Sequence, residues 1–226
     1  MKITAIETTV VAVPDPPLRN VNGVHEPYAL RVILQLRTDE GVTGLGEMPG
    51  GTGFKQELDA AASKVVGLDP YRTEWLRELF PDEPRLWSAF EVPCLDAVGK
   101  ATGRSVADLL GGAVRERVPF SAYLFYKFAT PDGWLDTPAG TPAPTGAVGM
   151  YDWTREVLSA EAMVEEAAEF IRRYGFRTLK LKAGPLPPEE EVRSLRLMRE
   201  RFGDDSPLRI DPNAGWSVET ALRVLP

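Results

Sequence analysis

Two lysines and one aspartate, each at the edge of a short apolar run, are the residues of this chain best equipped for chemistry. The stretch from Arg177 to Trp216, RTLKLKAGPLPPEEEVRSLRLMRERFGDDSPLRIDPNAGW, reads as a strand, a loop, a helix and a second strand. In the first strand Leu179 and Leu181 alternate with Lys180 and Lys182, and a period of two puts both ammonium groups on one face. A strand between helices is normally buried on both faces and nearly all apolar, so a face carrying two charges departs from the rule. The second strand, Leu208 to Ile210, runs into Asp211-Pro212-Asn213. If both strands lie parallel in one sheet, Lys182 and Asp211 fall together at C-terminal strand ends, where α/β sheets and barrels do chemistry.

The residue types suggest one task. A lysine beside another cation has a lowered pKa, because like charge disfavours the ammonium, and can then act as a general base near neutral pH. A carboxylate with a neighbouring amide oxygen is a hard-donor arrangement suited to Mg²⁺, which takes few protein ligands and keeps waters. Together they fit abstraction of a proton α to a carboxylate, with metal and lysine stabilising the enediolate. The plain alternative is an amphipathic surface strand followed by an Asp-Pro turn. KLK alone suits that alternative; KLK followed by IDPN at the end of the next strand suits it much less.

The elements that must position these residues follow from periodicity. Lys2 to Pro14 is β-branched-rich and alternating, a strand. Pro14 to Pro27 reads as a loop, and Tyr28 to Arg37 with Val42 to Glu47 as a hairpin around Thr38-Asp39-Glu40-Gly41. After a Gly50-Gly51-Thr52-Gly53 break, helices are expected from about Phe54 to Val66 and from Leu86 to Thr102, the latter with Phe90, Cys94, Leu95 and Val98 on one face. Three strands and then helices make an α+β unit, residues 1–117. From Val118 the pattern becomes strand–helix alternation: Pro119–Phe125, helix Ala160–Tyr174, Arg177–Lys182, helix Pro188–Phe202, Leu208–Ile210, and a helix capped by Ser217. Residues 118–226 therefore predict a parallel β/α domain, barrel or doubly wound. Thr130 to Asp152 is Gly/Pro-rich without periodicity and reads as an active-site loop or a disordered segment.

Composition narrows the classes. The 226 residues hold 43 % hydrophobic and 26 % charged residues, as ordinary globular chains do. A net charge of −7 with no basic stretch argues against a nucleic-acid partner. No segment approaches about 18 apolar residues, so neither a membrane span nor a signal peptide is expected. The single cysteine, Cys94, cannot form an intrachain disulfide, falls in an apolar helical stretch and reads as a small buried hydrophobe; a cytoplasmic location is favoured. The glycine-rich EMPGGTG fits neither a dinucleotide fingerprint nor a phosphate-binding loop. Glu189-Glu190-Glu191 sits in a first helical turn, where carboxylates favour the helix dipole, and reads as structural.

K-x-K on one strand and D-x-N after the next resemble the enolase superfamily in its mandelate racemase-like branch. KLKAG…PPEEE…RIDPNAGWS, with RNVNGVHEPY, TGLGEMPGG and AYLFYKF, is similar more narrowly to the glucarate dehydratase group. The resemblance implies an α+β capping domain followed by the first three βα units of a modified TIM barrel. It implies a Mg²⁺-dependent dehydration of a small acid sugar: Lys182 as base, Lys180 beside the substrate carboxylate lowering the pKa of Lys182, Asp211 as a metal ligand and Asn213 at the enediolate. Asn20 and His25 would reach the substrate from a lid, Tyr123 and Phe125 from the first barrel strand, and Ser88 from the capping domain. Each also has an ordinary alternative: a solvated histidine, barrel-core aromatics, turn asparagines. The same half-site would serve a racemase or cycloisomerase, and a non-catalytic diverged member stays open, as does an unrelated α/β domain without metal.

A complete TIM barrel takes about 250 residues and eight strands, whereas three strands are read here. The resemblance places two further metal ligands and a histidine–aspartate dyad on later strands. The expectation is the N-terminal portion of a longer enzyme, inactive alone and oligomeric when full length.

Overall fold

In a computed structural model the chain is described over residues 1–26, 28–129 and 155–225. The elements in chain order are β1 (Ile3–Pro14), β2 (Arg19–Asn20), β3 (Gly23–Val24), β4 (Tyr28–Thr38), β5 (Thr43–Pro49), α1 (Thr52–Val65), α2 (Glu74–Leu79), α3 (Pro84–Thr102), α4 (Val106–Leu109), β6 (Ser121–Phe125), α5 (Ala160–Tyr174), β7 (Thr178–Lys182), α6 (Pro188–Phe202), β8 (Leu208–Asp211) and α7 (Val218–Val224). They form two compact units. The first comprises Met1–Val13 and Ala29–Glu116; the second comprises Pro14–Tyr28 and the chain from Arg117 onward. The Gly/Pro-rich stretch from Thr130 to Asp152 lies outside the described residues.

The first unit is a three-stranded sheet of order β1-β4-β5 with helices against it. β4 shows why: Val32, Leu34 and Leu36 alternate inward and are fully buried, while Gln35 and Arg37 face out. α3 lies directly on β5. A Cβ at Gly44 would stand 1.9 Å from the Pro93 carbonyl oxygen and one at Gly46 2.7 Å from the Pro93 ring, so only glycine permits that approach. Asp96 on α3 accepts the Leu45 N–H at 2.7 Å and Lys100 donates to the Thr43 carbonyl at 2.9 Å, which covers the outer edge of β5. α3 begins two residues earlier than the sequence reading placed it. Leu95 is only half-buried, and Pro93 and Ala97 join Phe90, Cys94 and Val98 on the inner face. Cys94 is the buried hydrophobe expected, with burial, and to a lesser degree the nearby Glu91 charge, pushing its thiol up to about 12.

The second unit is built on the parallel sheet β6-β7-β8. Its helices occupy the spans read from the sequence: α5 is capped by Ser159 and closed by Gly175 in the left-handed region (φ 69°), and Ser217 caps α7. Leu179 and Leu181 point into a core shared with Ala122, Leu124, Met163 and Met198. The other face of β7 is left to the lysines.

Pro14 to Pro27, expected to be a plain loop, carries the ribbon β2-β3, with Asn20 opposite Gly23. Asn20 accepts the Asn22 N–H at 2.7 Å and Gly23 takes φ 117°, which together close the turn. This segment belongs with the second unit because its backbone bonds lie there. Arg19 N–H donates to the Tyr126 carbonyl at 2.7 Å, Phe128 N–H to the Pro17 carbonyl at 3.3 Å, and Leu18 bridges Lys127. Among the described residues no helix is long and apolar enough to cross a membrane.

Candidate active site

The register of the parallel sheet assembles the site. Tyr123 stands beside Lys180, Phe125 beside Lys182, and Lys182 beside Asp211. Because side chains at matching positions of neighbouring strands share a face, the two lysines, the two aromatics and the aspartate come together at the C-terminal end of the sheet. Lys182 Nζ donates to Asp211 Oδ2 at 3.0 Å and to Asn213 Oδ1 at 2.7 Å. Lys180 Nζ is 3.0 Å from the same Asp211 oxygen. Asp211 Oδ1 accepts the Asn213 N–H at 3.1 Å, an Asx turn that holds the DPN segment. Asn213 and Ala214 both adopt positive φ, 52° and 58°, an uncommon conformation outside glycine that tends to occur at functional sites.

Aromatic rings floor this cluster. Tyr123 and Phe125 meet with centroids 4.5 Å apart, and the Tyr123 ring lies under both ammonium groups, 4.4 Å from Lys180 Nζ and 5.9 Å from Lys182 Nζ. The electrostatics correct one expectation. Burial pulls the Lys182 pKa down, but the hydrogen bonds to Asp211 and Tyr123 and their charges raise it further, so the net shift is upward. Proximity of Lys180 does not lower it here because the Asp211 carboxylate stands between the two cations. Asp211 itself is held well below the usual carboxylate range, first by Lys180, then by Lys182 and the Asn213 N–H.

The lid residues sit near the strand ends by backbone packing. Val21 rests against Gly184, in the loop after β7, and against Gly215, in the loop after β8; a Cβ on either glycine would come within 2.9 Å of a Val21 side-chain atom. Asn20, buried, hydrogen-bonds His25, which is exposed. Ser88 belongs to the first unit, where its hydroxyl donates to the Arg85 carbonyl at 3.2 Å.

Glu191, read from the sequence with Glu189 and Glu190 as a structural first-turn carboxylate, stands in that turn but faces inward. It is completely buried, unlike Glu189 and Glu190, and its Oε1 accepts the N–H groups of Gly184 at 2.7 Å and Leu186 at 3.0 Å. The signal was there: Glu191, Ser194, Leu195 and Met198 share the i, i+3, i+4, i+7 face of α6 that enters the core.

As a cation site the cluster offers hard oxygen donors, the Asp211 carboxylate and the Asn213 amide. Among the described residues no group of three or more His, Cys, Asp or Glu side chains could hold a metal ion. The donor chemistry is of the kind that suits Mg²⁺.

Residues 5–111 match the mandelate racemase / muconate lactonizing enzyme N-terminal domain and residues 162–226 the enolase C-terminal domain-like family. A probable glucarate dehydratase from Streptomyces coelicolor is 40 % identical over 99 % of this chain and 55 % of that protein. An enolase from Mycobacterium smegmatis complexed with tartrate is 43 % identical with TM-score 0.84, over 99 % of this chain and 53 % of that one. An enolase from Thermobispora bispora complexed with magnesium and formate is 41 % identical with TM-score 0.83, over 99 % and 55 %. Matches at lower identity include a racemase and cycloisomerases. The chain spans about half the length of the curated relatives it matches.

Proposed function

Because this chain belongs to the enolase superfamily, in its mandelate racemase/muconate lactonizing enzyme branch, we propose that it carries the first half of the active site of a Mg²⁺-dependent acid-sugar dehydratase. One observation carries the reading: Lys182 Nζ, at the end of β7, is hydrogen-bonded to both Asp211 and Asn213 at the end of β8. The first unit is then the capping domain and the second the opening βα units of a barrel.

Lys182 takes the proton α to a substrate carboxylate. Lys180, which shares the Asp211 oxygen, lies where it can pair with that carboxylate. Asp211 is the ligand that these residues would contribute to Mg²⁺, whose Lewis acidity would stabilise the enediolate. Asn213 hydrogen-bonds the developing oxyanion, and Tyr123 and Phe125 wall the pocket. Asn20, His25 and Ser88 are proposed to contact the substrate's hydroxyl groups. The β-hydroxyl would leave as water with a proton from the histidine that the resemblance places on a later strand, and the enol that results would take up a proton at the β-carbon to give a 2-keto-3-deoxy acid. The raised Lys182 pKa comes in large part from its bond to the Asp211 carboxylate; Mg²⁺ drawing on that carboxylate would loosen its hold on the Lys182 proton.

The similarity to a probable glucarate dehydratase supports six-carbon diacids as substrates. Screening hexarates with Mg²⁺ and the full-length protein in D₂O is expected to give water loss with a keto-acid product. Deuterium entry without water loss would instead favour racemisation, as would fit the racemase among the relatives. Absence of both across the diacids would contradict the proposal. The isolated 226 residues are expected to be silent in the same assay, because Asp211 alone holds Mg²⁺ poorly.

A further inference from the structure

Carboxylates in the first turn of a helix normally face water, where they favour the dipole at little cost. Glu191 is instead fully buried, and burying a carboxylate is unfavourable unless hydrogen bonds compensate. Its Oε1 is satisfied by Gly184 and Leu186 N–H, amides of the loop that leaves β7 directly after Lys182. Its Oε2 and the Trp216 indole nitrogen are both buried without a hydrogen-bond partner. Burial pushes the carboxyl pKa up, and the Leu186 and Gly184 N–H groups and, least, the Trp216 indole draw it down. Trp216 is on the loop after β8, three residues beyond Asn213. One side chain therefore grips the loop behind the lysine and stands against the loop behind its two partners.

We propose that Glu191 is a positioning residue that sets the separation between Lys182 and the Asp211–Asn213 pair. The inference rests on the function proposed above for those three residues. The hydrogen bonds to Gly184 and Leu186 fix the path of the chain out of β7, and contact with Trp216 registers that loop against the turn that carries Asn213. Glutamine keeps an oxygen for the two amides and alanine does not.

The test compares wild type, Glu191→Ala and Glu191→Gln of the full-length protein by backbone amide exchange at Gly184 and Leu186 and by α-proton exchange of glucarate with Mg²⁺ in D₂O. Glu191→Ala is expected to exchange both amides about tenfold faster, the loss of roughly one hydrogen bond. Its kcat should fall about a hundredfold with KM little changed, as for a misplacement of about an ångström. Glu191→Gln should recover both. Unchanged amide protection in a folded Glu191→Ala, or lost protection with an unaltered kcat, would overturn the proposal. So would a glutamine variant that regains protection but not rate. If wild type exchanges no α-proton, the proposed function fails separately. The Lys182–Asn213 distance in a crystal structure of Glu191→Ala then decides this proposal: widened supports it, unchanged refutes it. Should the alanine variant not fold, Glu191→Asp, which draws the charge back by one methylene, is read by the same measurements and the same criteria.

Discussion

Lys127 and Glu166 pair at 3.4 Å with side chains only 1 % and 4 % exposed, and Arg155 closes the far side of the carboxylate at 3.0 Å. Lys180 and Lys182 instead converge on Asp211, whose side chain is 30 % exposed, at the open end of the same sheet. Both groupings join lysine to carboxylate, but their surroundings assign them different work. Removing two charges from water costs several kcal/mol per ion and is offset only by close, well-satisfied pairing. The first grouping is thus locked, and it fastens the segment after β6 to α5. The second leaves its carboxylate partly exposed, as the proposed role of Asp211 as a Mg²⁺ ligand requires.

Breaking the locked pair should have the largest effect on stability. Glu166→Ala is expected to cost about 3–5 kcal/mol in urea unfolding, whereas Asp211→Ala should cost about 1 kcal/mol or less, as for a partly solvated pair. Equal losses would erase the distinction between the two groupings. A smaller effect comes from Tyr126, which pins the same segment to α6 through a 2.7 Å bond between its hydroxyl and Ser194 Oγ. Tyr126→Phe should lose about 1 kcal/mol, since Ser194 keeps its bond to the Glu190 carbonyl.

The smallest expected effect concerns pH. Burial raises the Glu191 pKa more than its hydrogen bonds lower it, so the folded protein holds a proton that the unfolded chain releases. That contribution to stability is complete below the ordinary carboxylate range, about 4.3, and is lost as pH rises through the raised value. Glu191→Gln has no such titration. The urea midpoint of wild type minus that of the variant should therefore decline from about pH 4 toward neutrality; a flat or rising difference would contradict the assigned burial.

Much of this was legible in the sequence, and the exceptions share a cause. Local periodicity sufficed for α5, α6, the β4–β5 hairpin and the pairing of Lys180 with Lys182 on one face, because each depends on neighbours a few residues away. That KLK and DPN share a strand end was legible although 29 residues separate Lys182 from Asp211, because strand–helix alternation implies parallel strands whose C-terminal ends lie together. What escaped depends on contacts distant in sequence. Glu191 looks like Glu189 and Glu190 until Gly184 and Trp216 are folded against it. The Pro14–Tyr28 segment looks like a loop of the first unit until Tyr126 and Gly184 receive it. The Lys182 pKa has the opposite sign to that expected because Asp211, 29 residues away, comes between the lysines.

The central claim is that Lys182 is the base at the end of β7. Deuterium incorporation α to the carboxylate of glucarate, followed with the full-length protein and Mg²⁺, tests it most directly. Lys182→Met is expected to slow exchange on one face by about 10²–10⁴-fold with unfolding unchanged, while wild type exchanges readily. Exchange at the wild-type rate in the Lys182→Met protein would contradict the account.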